Sequence, residues 1–241
     1  MDEIERLAPW MYEFTFADGT RTPLMAEHLR AIHAVRLSMI VDVLDIASLL
    51  RGSTVLDVAC NEGYFGLELA KRGAADVFGI DSRPRNIEKA EFARDRLALP
   101  NCRFTVGDVT EMALPPADVV LLLGIVYHVE DPIRLIRRAA AAARAVLFVE
   151  TQLLKAHEPL RFGWGSPAAR ESPDAFAMLR EDPAANDLSA EHGFSLVPNA
   201  SAIVSVLRDI GFRSIAQLHP NGVIDEPQYT AVDRAVFAAF R

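Results

Sequence analysis

The stretch Thr54-Val55-Leu56-Asp57-Val58-Ala59-Cys60-Asn61-Glu62-Gly63-Tyr64-Phe65-Gly66 constrains this chain more than any other, because it joins three kinds of local signal in consecutive residues. Val55, Leu56 and Val58 are the short apolar run of a buried strand, Asn61-Glu62-Gly63 reads as a tight turn, and Leu67–Gly73 reads as a helix closed by a glycine. A strand-turn-helix corner brings backbone N–H groups toward a ligand at the helix N-terminus. The small side chains at Ala59 and Gly63 let that ligand lie against the chain. An ordinary corner of an α/β sheet is the alternative, since short motifs recur by chance.

Spacing separates the ligands such a corner can hold. A dinucleotide fingerprint places Gly-x-Gly-x-x-Gly around a pyrophosphate, whereas this turn is Asp57-x-Ala59-x-Asn61-x-Gly63 with a carboxylate at the strand end. That carboxylate repels phosphate and suits a ligand carrying an ammonium and a sulfonium, as S-adenosyl-L-methionine does. The segment resembles motif I of the class I S-adenosylmethionine-dependent methyltransferases, whose usual pattern is acid-x-Gly-x-Gly-x-Gly. Asp57 and Gly63 are kept, while Ala59 and Asn61 stand at the first two glycine positions. Asn tolerates a left-handed backbone better than most residues, so the turn survives at Asn61.

The 241 residues, 51% hydrophobic and 24% charged, suffice for one α/β domain with an appendage. We divide them into an N-terminal lid segment and helix over 1–50 and a methyltransferase domain over 51–241, with an acceptor-pocket insertion at 152–195. A net charge of −8 argues against nucleic acid as the partner. Cys60 and Cys102 give neither metal spacing nor a disulfide framework, so no metal is expected and the compartment reads as reducing. The absence of an apolar run near membrane-spanning length and an N-terminus opening Met1-Asp2-Glu3 predict a cytoplasmic protein away from membranes. Oligomeric state is not legible.

Ahead of the cradle, Pro9-Trp10-Met11-Tyr12-Glu13-Phe14 is an aromatic segment that either covers a pocket or staples onto the core, and Tyr12 is the residue to test. Residues from Glu27 to about Leu50 carry apolar positions at helical spacing. His33 and Arg36, three apart, share a face of that helix; they either overlook the cradle or form a solvated pair. A second strand, Asp76–Asp81, ends in a carboxylate suited to accept both hydroxyls of a ribose. Ser82, Arg83 and Asn86 follow in the next turn, as caps or pocket lining. A third strand reads Cys102–Val106. The run Asp118–Val126 is apolar enough to be a central parallel strand, and Ala145–Glu150 a fifth strand ending in Glu150. A helix over 200–209, a strand near Arg213–Leu218 and an antiparallel strand near Ala231–Phe240 complete a doubly wound, Rossmann-like, seven-stranded α/β sheet with helices on both faces.

The methyltransferase resemblance implies more about individual residues. It puts an adenine-amine acceptor at Asp108 and a ring-packing residue at Val109. Gly124-x-x-Tyr127-His128 followed by Asp131-Pro132 resembles the branch containing the tRNA wobble-uridine carboxymethyltransferases and their small-molecule relatives. That likeness returns at Phe194–Asn199 and Asp233–Phe237, covering most of residues 50–240. It places Gly124 and Tyr127 with the cofactor and Arg234 with the branch's C-terminal arginine. The tRNA enzymes hold the extra carboxylate of carboxy-S-adenosylmethionine with a lysine in a Pro-Trp-Arg-Lys segment. Here the comparable segment is Pro9-Trp10-Met11-Tyr12, so no cation is expected there. The chain is also shorter at its N-terminus than those enzymes.

These signals predict methyl transfer to a small-molecule acceptor, an in-line displacement in which the cofactor carries the hard chemistry and the protein aligns and desolvates. His128 is the first candidate for a base, with His33, Glu150 and His192 behind it. In the proline-rich stretch 152–195, Phe162, Trp164, Phe176 and His192 are candidates for the acceptor wall. Tyr12, His33, Arg36, Glu150, Trp164 and Arg234 are the acceptor contacts expected. Two further readings stay open: a tRNA carboxymethyltransferase with a local basic surface, and a non-catalytic cofactor-binding protein.

Overall fold

The computed structural model describes residues 2–155, 160–161, 171–172, 174–181, 193–222 and 226–241. The elements in chain order begin with α1 (Glu3–Leu7), α2 (His28–Ile46), β1 (Thr54–Val58), α3 (Tyr64–Lys71), β2 (Asp76–Asp81), α4 (Pro84–Arg96), β3 (Cys102–Val106) and β4 (Ala117–Leu123). A 3-10 turn at Val126–His128 leads to α5 (Pro132–Ala142) and β5 (Ala143–Gln152). Four short strands follow, β6 (Leu160–Arg161), β7 (Glu171–Ser172), β8 (Phe176–Arg180) and β9 (Phe194–Pro198). The chain ends with α6 (Ala200–Ile210), β10 (Ser214–Leu218), α7 (Pro227–Thr230) and β11 (Arg234–Phe240).

Seven strands form one sheet in the order β10-β11-β5-β4-β1-β2-β3. β1 pairs in parallel with β2 and β4, β2 with β3 and β4 with β5, while β11 runs antiparallel to both β5 and β10. The sheet is therefore the mostly parallel one expected, with the last strand reversed. The chain reverses direction of growth at β1, and the β1/β4 edge is the crevice where α/β sheets bind ligands.

Side-chain alternation distributes the strands between two cores. Val55, Val77, Val119, Leu121, Val146 and Phe148 face the layer of α2, α3, α4 and the N-terminal segment. Leu56, Val58, Ile80, Val120, Leu122 and Val149 face α5 and α6. Because successive strand residues point to opposite faces, Asp57 shares the face of Val55 and lies under α3, and Glu150 shares the face of Phe148 and points toward α2.

Most expected elements fall within a few residues of their predicted bounds. The fourth strand stops at Leu123 rather than Val126, because Gly124 takes φ 76° and turns the chain out of the sheet. α5 ends at Ala142 and the strand begins directly at Ala143, before the predicted Ala145. Part of the proline-rich stretch is regular: β8 and β9 pair antiparallel from Phe176↔Pro198 to Arg180↔Phe194. Among the described residues no helix is long and apolar enough to cross a membrane.

The N-terminal aromatics are core. Trp10, Phe14 and Phe16 are buried in the cluster beneath α2, α3 and α4. The segment is fixed to the cradle turn by Glu62, whose carboxylate accepts from the N–H of Met11 (2.9 Å) and of Tyr12 (3.1 Å) and pairs with Lys89 Nζ at 2.8 Å.

Candidate active site

A cavity of about 640 Å³ opens at the carboxyl ends of β1, β2 and β4, a volume ordinary for a small-molecule site. Its cradle wall is built from a backbone in which every second residue is left-handed: Ala59 (φ 59°), Asn61 (φ 51°) and Gly63 (φ 74°). Gly63 has a second reason to lack a side chain, since a Cβ there would approach the Phe104 ring to 2.7 Å. Ala59 and Asn61 line the cavity, whereas Gly63 is buried behind it.

The two strand-end carboxylates behave differently. Asp81 lies in the cavity wall, where Oδ2 accepts from the Asn61 N–H at 2.9 Å and Oδ1 from the Arg83 N–H and Asn86 Nδ2, both at 3.0 Å. Ser82 and Arg83 line the cavity beside it. Asp57, expected to face the ligand, does not reach the wall. It is buried, and Oδ2 accepts from the Gly66 N–H in the first turn of α3 at 3.2 Å. Burial pushes its carboxyl up to about 7, against the pull of the Gly66 hydrogen bond and with a further push from Asp81. An N–H of the helix start is thus occupied by the protein's own acid, which suits a cradle that does not hold phosphate.

At the next strand end, Val109 is buried and Asp108 exposed, and both line the cavity. The Asp108 carboxylate accepts from the N–H (2.8 Å) and hydroxyl (2.7 Å) of Thr110. Gly124 and Tyr127 close this side.

The opposite end of the cavity is cationic. Arg36 and Arg234 both line it and both donate to Glu150 Oε1, at 3.2 and 3.0 Å. Arg36 also donates to the Tyr229 hydroxyl at 2.9 Å, and Arg234 to the Tyr127 hydroxyl at 2.5 Å and Gln228 Oε1 at 3.1 Å. The side chains of Arg36 and Arg234 are 7% and 12% exposed, that of Glu150 not at all, so one carboxylate serves two buried guanidiniums. Among the described residues Glu150 Oε2 has no hydrogen-bond partner, and a Cβ on Gly124 would stand 3.7 Å from it.

Tyr12 and His33 complete that end, their rings 4.2 Å apart, with Tyr12 stacked on Tyr64 at 4.9 Å. Burial, with Arg36, Arg234 and His28 adding repulsion, lowers His33 to about 3, so it stays neutral. The Pro9–Tyr12 segment supplies no cation of its own; Arg36 of α2 lines the cavity with Tyr12 instead, the first of the two arrangements open to the His33–Arg36 face. The packing of α2 over the sheet decides between the two arrangements.

His128 also lines the cavity, its Nδ1 3.0 Å from Glu181 Oε2. Glu181 carried no sequence signal, lying in a stretch without periodicity. Glu150, expected as an acceptor contact, is not in the cavity wall and is bonded to the two arginines that are. Phe176 is half-buried in β8 and away from the cavity, while Phe194, unpredicted, lines it. Phe162, Trp164 and His192 lie outside the described residues. Among the described residues no cluster of His, Cys, Asp and Glu is placed to hold a metal ion.

This sheet order, with a cradle at the end of β1 and an acid at the end of β2, defines a Rossmann-like α/β fold with a ligand crevice at its strand ends. In agreement, residues 49–158 match a family described as "Methyltransferase domain". Among curated proteins the chain is similar to a ubiquinone biosynthesis O-methyltransferase of Neisseria meningitidis, with 36% identity over 118 residues, 46% of this chain and 47% of that protein. It is also 28% identical over 114 residues to a tRNA U34 carboxymethyltransferase of Desulfotalea psychrophila, covering 46% of this chain and 36% of that one. The chain thus spans about half the length of such relatives or less. Among solved structures, the N-terminal domain of EvdMO1, crystallised with SAH and D-fucose, superposes with a TM-score of 0.71 at 19% identity over 98% of this chain and 92% of that one. The magnesium protoporphyrin IX methyltransferase of Synechocystis gives 0.60 at 18% identity, over 91% and 89%.

Proposed function

We propose that this chain is an S-adenosyl-L-methionine-dependent methyltransferase acting on a small-molecule acceptor. The observation that carries the reading is the division of one cavity into an acidic end, built around Asp81 and the left-handed Asn61, and a cationic end holding Arg36 and Arg234. On this reading Asp81 accepts from the ribose hydroxyls, Val109 packs on the adenine, Asp108 accepts its amine, and Ala59, Gly124 and Tyr127 shape the methionine half. The bound cofactor supplies an electrophilic methyl group. The protein's own residues align the acceptor, exclude water and, through His128, accept a proton.

The cationic end selects the acceptor. Two buried guanidiniums facing one carboxylate leave an excess positive charge in a poorly hydrated corner, and an anionic group on the ligand offsets it. Tyr12 and His33 add a ring wall beside it. The acceptor is therefore read as a small acid bearing a methylatable O–H, N–H or C–H. The unpaired, buried thiols of Cys60 and Cys102 suit a reducing compartment such as the cytoplasm.

One observation also favours carboxymethyl transfer, the second reading: the Arg36, Arg234 and Tyr127 corner offers a carboxylate partner to a carboxylated cofactor as well as to an acceptor. The mass of the group transferred separates the two. The primary test is calorimetry with S-adenosylhomocysteine. Wild type binds, Asp81→Ala weakens binding by about tenfold or more, and a metabolite extract then yields a methylated product. Failure of wild type to bind the compound refutes both readings.

A further inference from the structure

We propose that Glu181 is a positioning residue that, steadied by Ser195, makes His128 a general base, so that the methyl acceptor atom carries a proton, as a hydroxyl or acidic N–H. The inference rests on the function proposed above and narrows it.

The geometry is a three-membered relay that reaches the cavity wall from buried groups behind it. The Glu181 carboxylate meets His128 Nδ1 with Oε2 at 3.0 Å and Oε1 at 3.2 Å, and Oε1 accepts from the Ser195 hydroxyl at 2.7 Å. An ionised carboxylate only accepts, so Nδ1 must carry the hydrogen, and the lone pair of the neutral ring is left on Nε2. Ser195 is fully buried and the Glu181 side chain 10% exposed, whereas His128 keeps 21% exposure and lines the cavity. The backbone holds the relay rigid: His128 N–H donates to Ile125 at 2.9 Å, Leu196 N–H to Val129 at 3.2 Å, and Glu181 N–H to Gly193 at 2.9 Å. Leu196, in the middle of β9, thereby docks on the residue that follows the histidine.

A histidine that served only as filler would need no tautomer. Here a residue 53 positions away in sequence fixes one. The charged groups facing His128 are Glu181, Arg234 and Arg83, and the Tyr127 ring lies 4.3 Å away. Burial and the two arginines hold its pKa below the usual range while Glu181 raises it, so the ring is unprotonated and available near neutrality. In the transfer step the acceptor oxygen or nitrogen forms its bond to the methyl carbon while its proton passes to Nε2. The carbon–sulfur bonding pair stays on sulfur, which departs as a neutral thioether. The new imidazolium then lies against the Glu181 carboxylate.

The test uses nitrogen-detected NMR of His128 in the S-adenosylhomocysteine complex, together with turnover of the acceptor recovered from the extract screen. The proposal expects a hydrogen on Nδ1 in wild type, a mixed tautomer and a lower His128 pKa in Glu181→Gln, and partial restoration in Glu181→Asp. It also expects kcat to fall about tenfold or more with KM nearly unchanged, and the acid limb of the pH profile to move with the His128 pKa. Should S-adenosylhomocysteine bind normally while Glu181→Gln leaves tautomer, pKa and kcat unmoved, the relay is refuted and the cofactor reading survives. Loss of S-adenosylhomocysteine binding in wild type refutes the wider reading instead.

Discussion

The carboxylate of Glu62, in the middle of the cradle turn, accepts the backbone N–H of Tyr12 at 3.1 Å, so the N-terminal segment, whose Met11 and Tyr12 line the cavity, and the turn that shapes it share one buried acid. Lys89 of α4 neutralises that acid at 2.8 Å, and burial raises the Glu62 carboxyl against the pull of Lys89. Three elements distant in sequence therefore meet at a single ion pair.

Removing one member of this pair leaves the other charged and buried. Glu62→Ala should cost about 3–5 kcal/mol, measured by urea unfolding, and Glu62→Ala combined with Lys89→Met should cost less than the sum of the two single changes. Additive losses would show that the pair is not energetically coupled.

Asp57 predicts a pH dependence. Its folded pKa, about 7, is raised above the ordinary unfolded value, so its contribution to stability is fully present below that value and is lost as pH rises through about 7. Asp57→Asn removes the ionisation. Between about pH 4 and about pH 8 the stability difference should move in the variant's favour by on the order of 4 kcal/mol. Thermal unfolding of the ligand-free protein across that range checks it, and parallel curves for the two proteins would contradict the raised pKa.

Charge counting at the cationic end orders two substitutions. Glu150→Gln strips the shared partner from two guanidiniums, whereas Arg36→Met leaves the Glu150–Arg234 pair intact. Glu150→Gln should therefore destabilise by about 3–5 kcal/mol and Arg36→Met by roughly 1–2 kcal/mol less. A small carboxylate such as acetate in the buffer should narrow the gap by occupying the corner left empty of anion.

Ala59 bears the cost of a left-handed backbone that glycine adopts freely. Ala59→Gly should raise stability by about 0.5–1 kcal/mol after the larger chain entropy of glycine is deducted. The same change at Ala93, buried on the interior of α4, should lower it.

The strand-turn-helix over 54–71, the acid ending β2 and the apolar run of β4 were legible before any coordinates, because period, turn chemistry and helix closure are local properties. They sufficed to specify the doubly wound sheet and the crevice at its strand ends. Which way each carboxylate turned was not: Asp57 was expected at the ligand, and the packing of α3 over the face it shares with Val55 buries it against the Gly66 N–H instead. The sequence alone could not show that Arg36 stands beside Arg234, that Glu150 serves both, or that Glu181 orients His128. Those pairings join residues 114, 84 and 53 positions apart. Local propensity carries no information across such separations, and only the packing of α2 on one face and of the β8–β9 hairpin against the 3-10 turn brings these charges within hydrogen-bond reach.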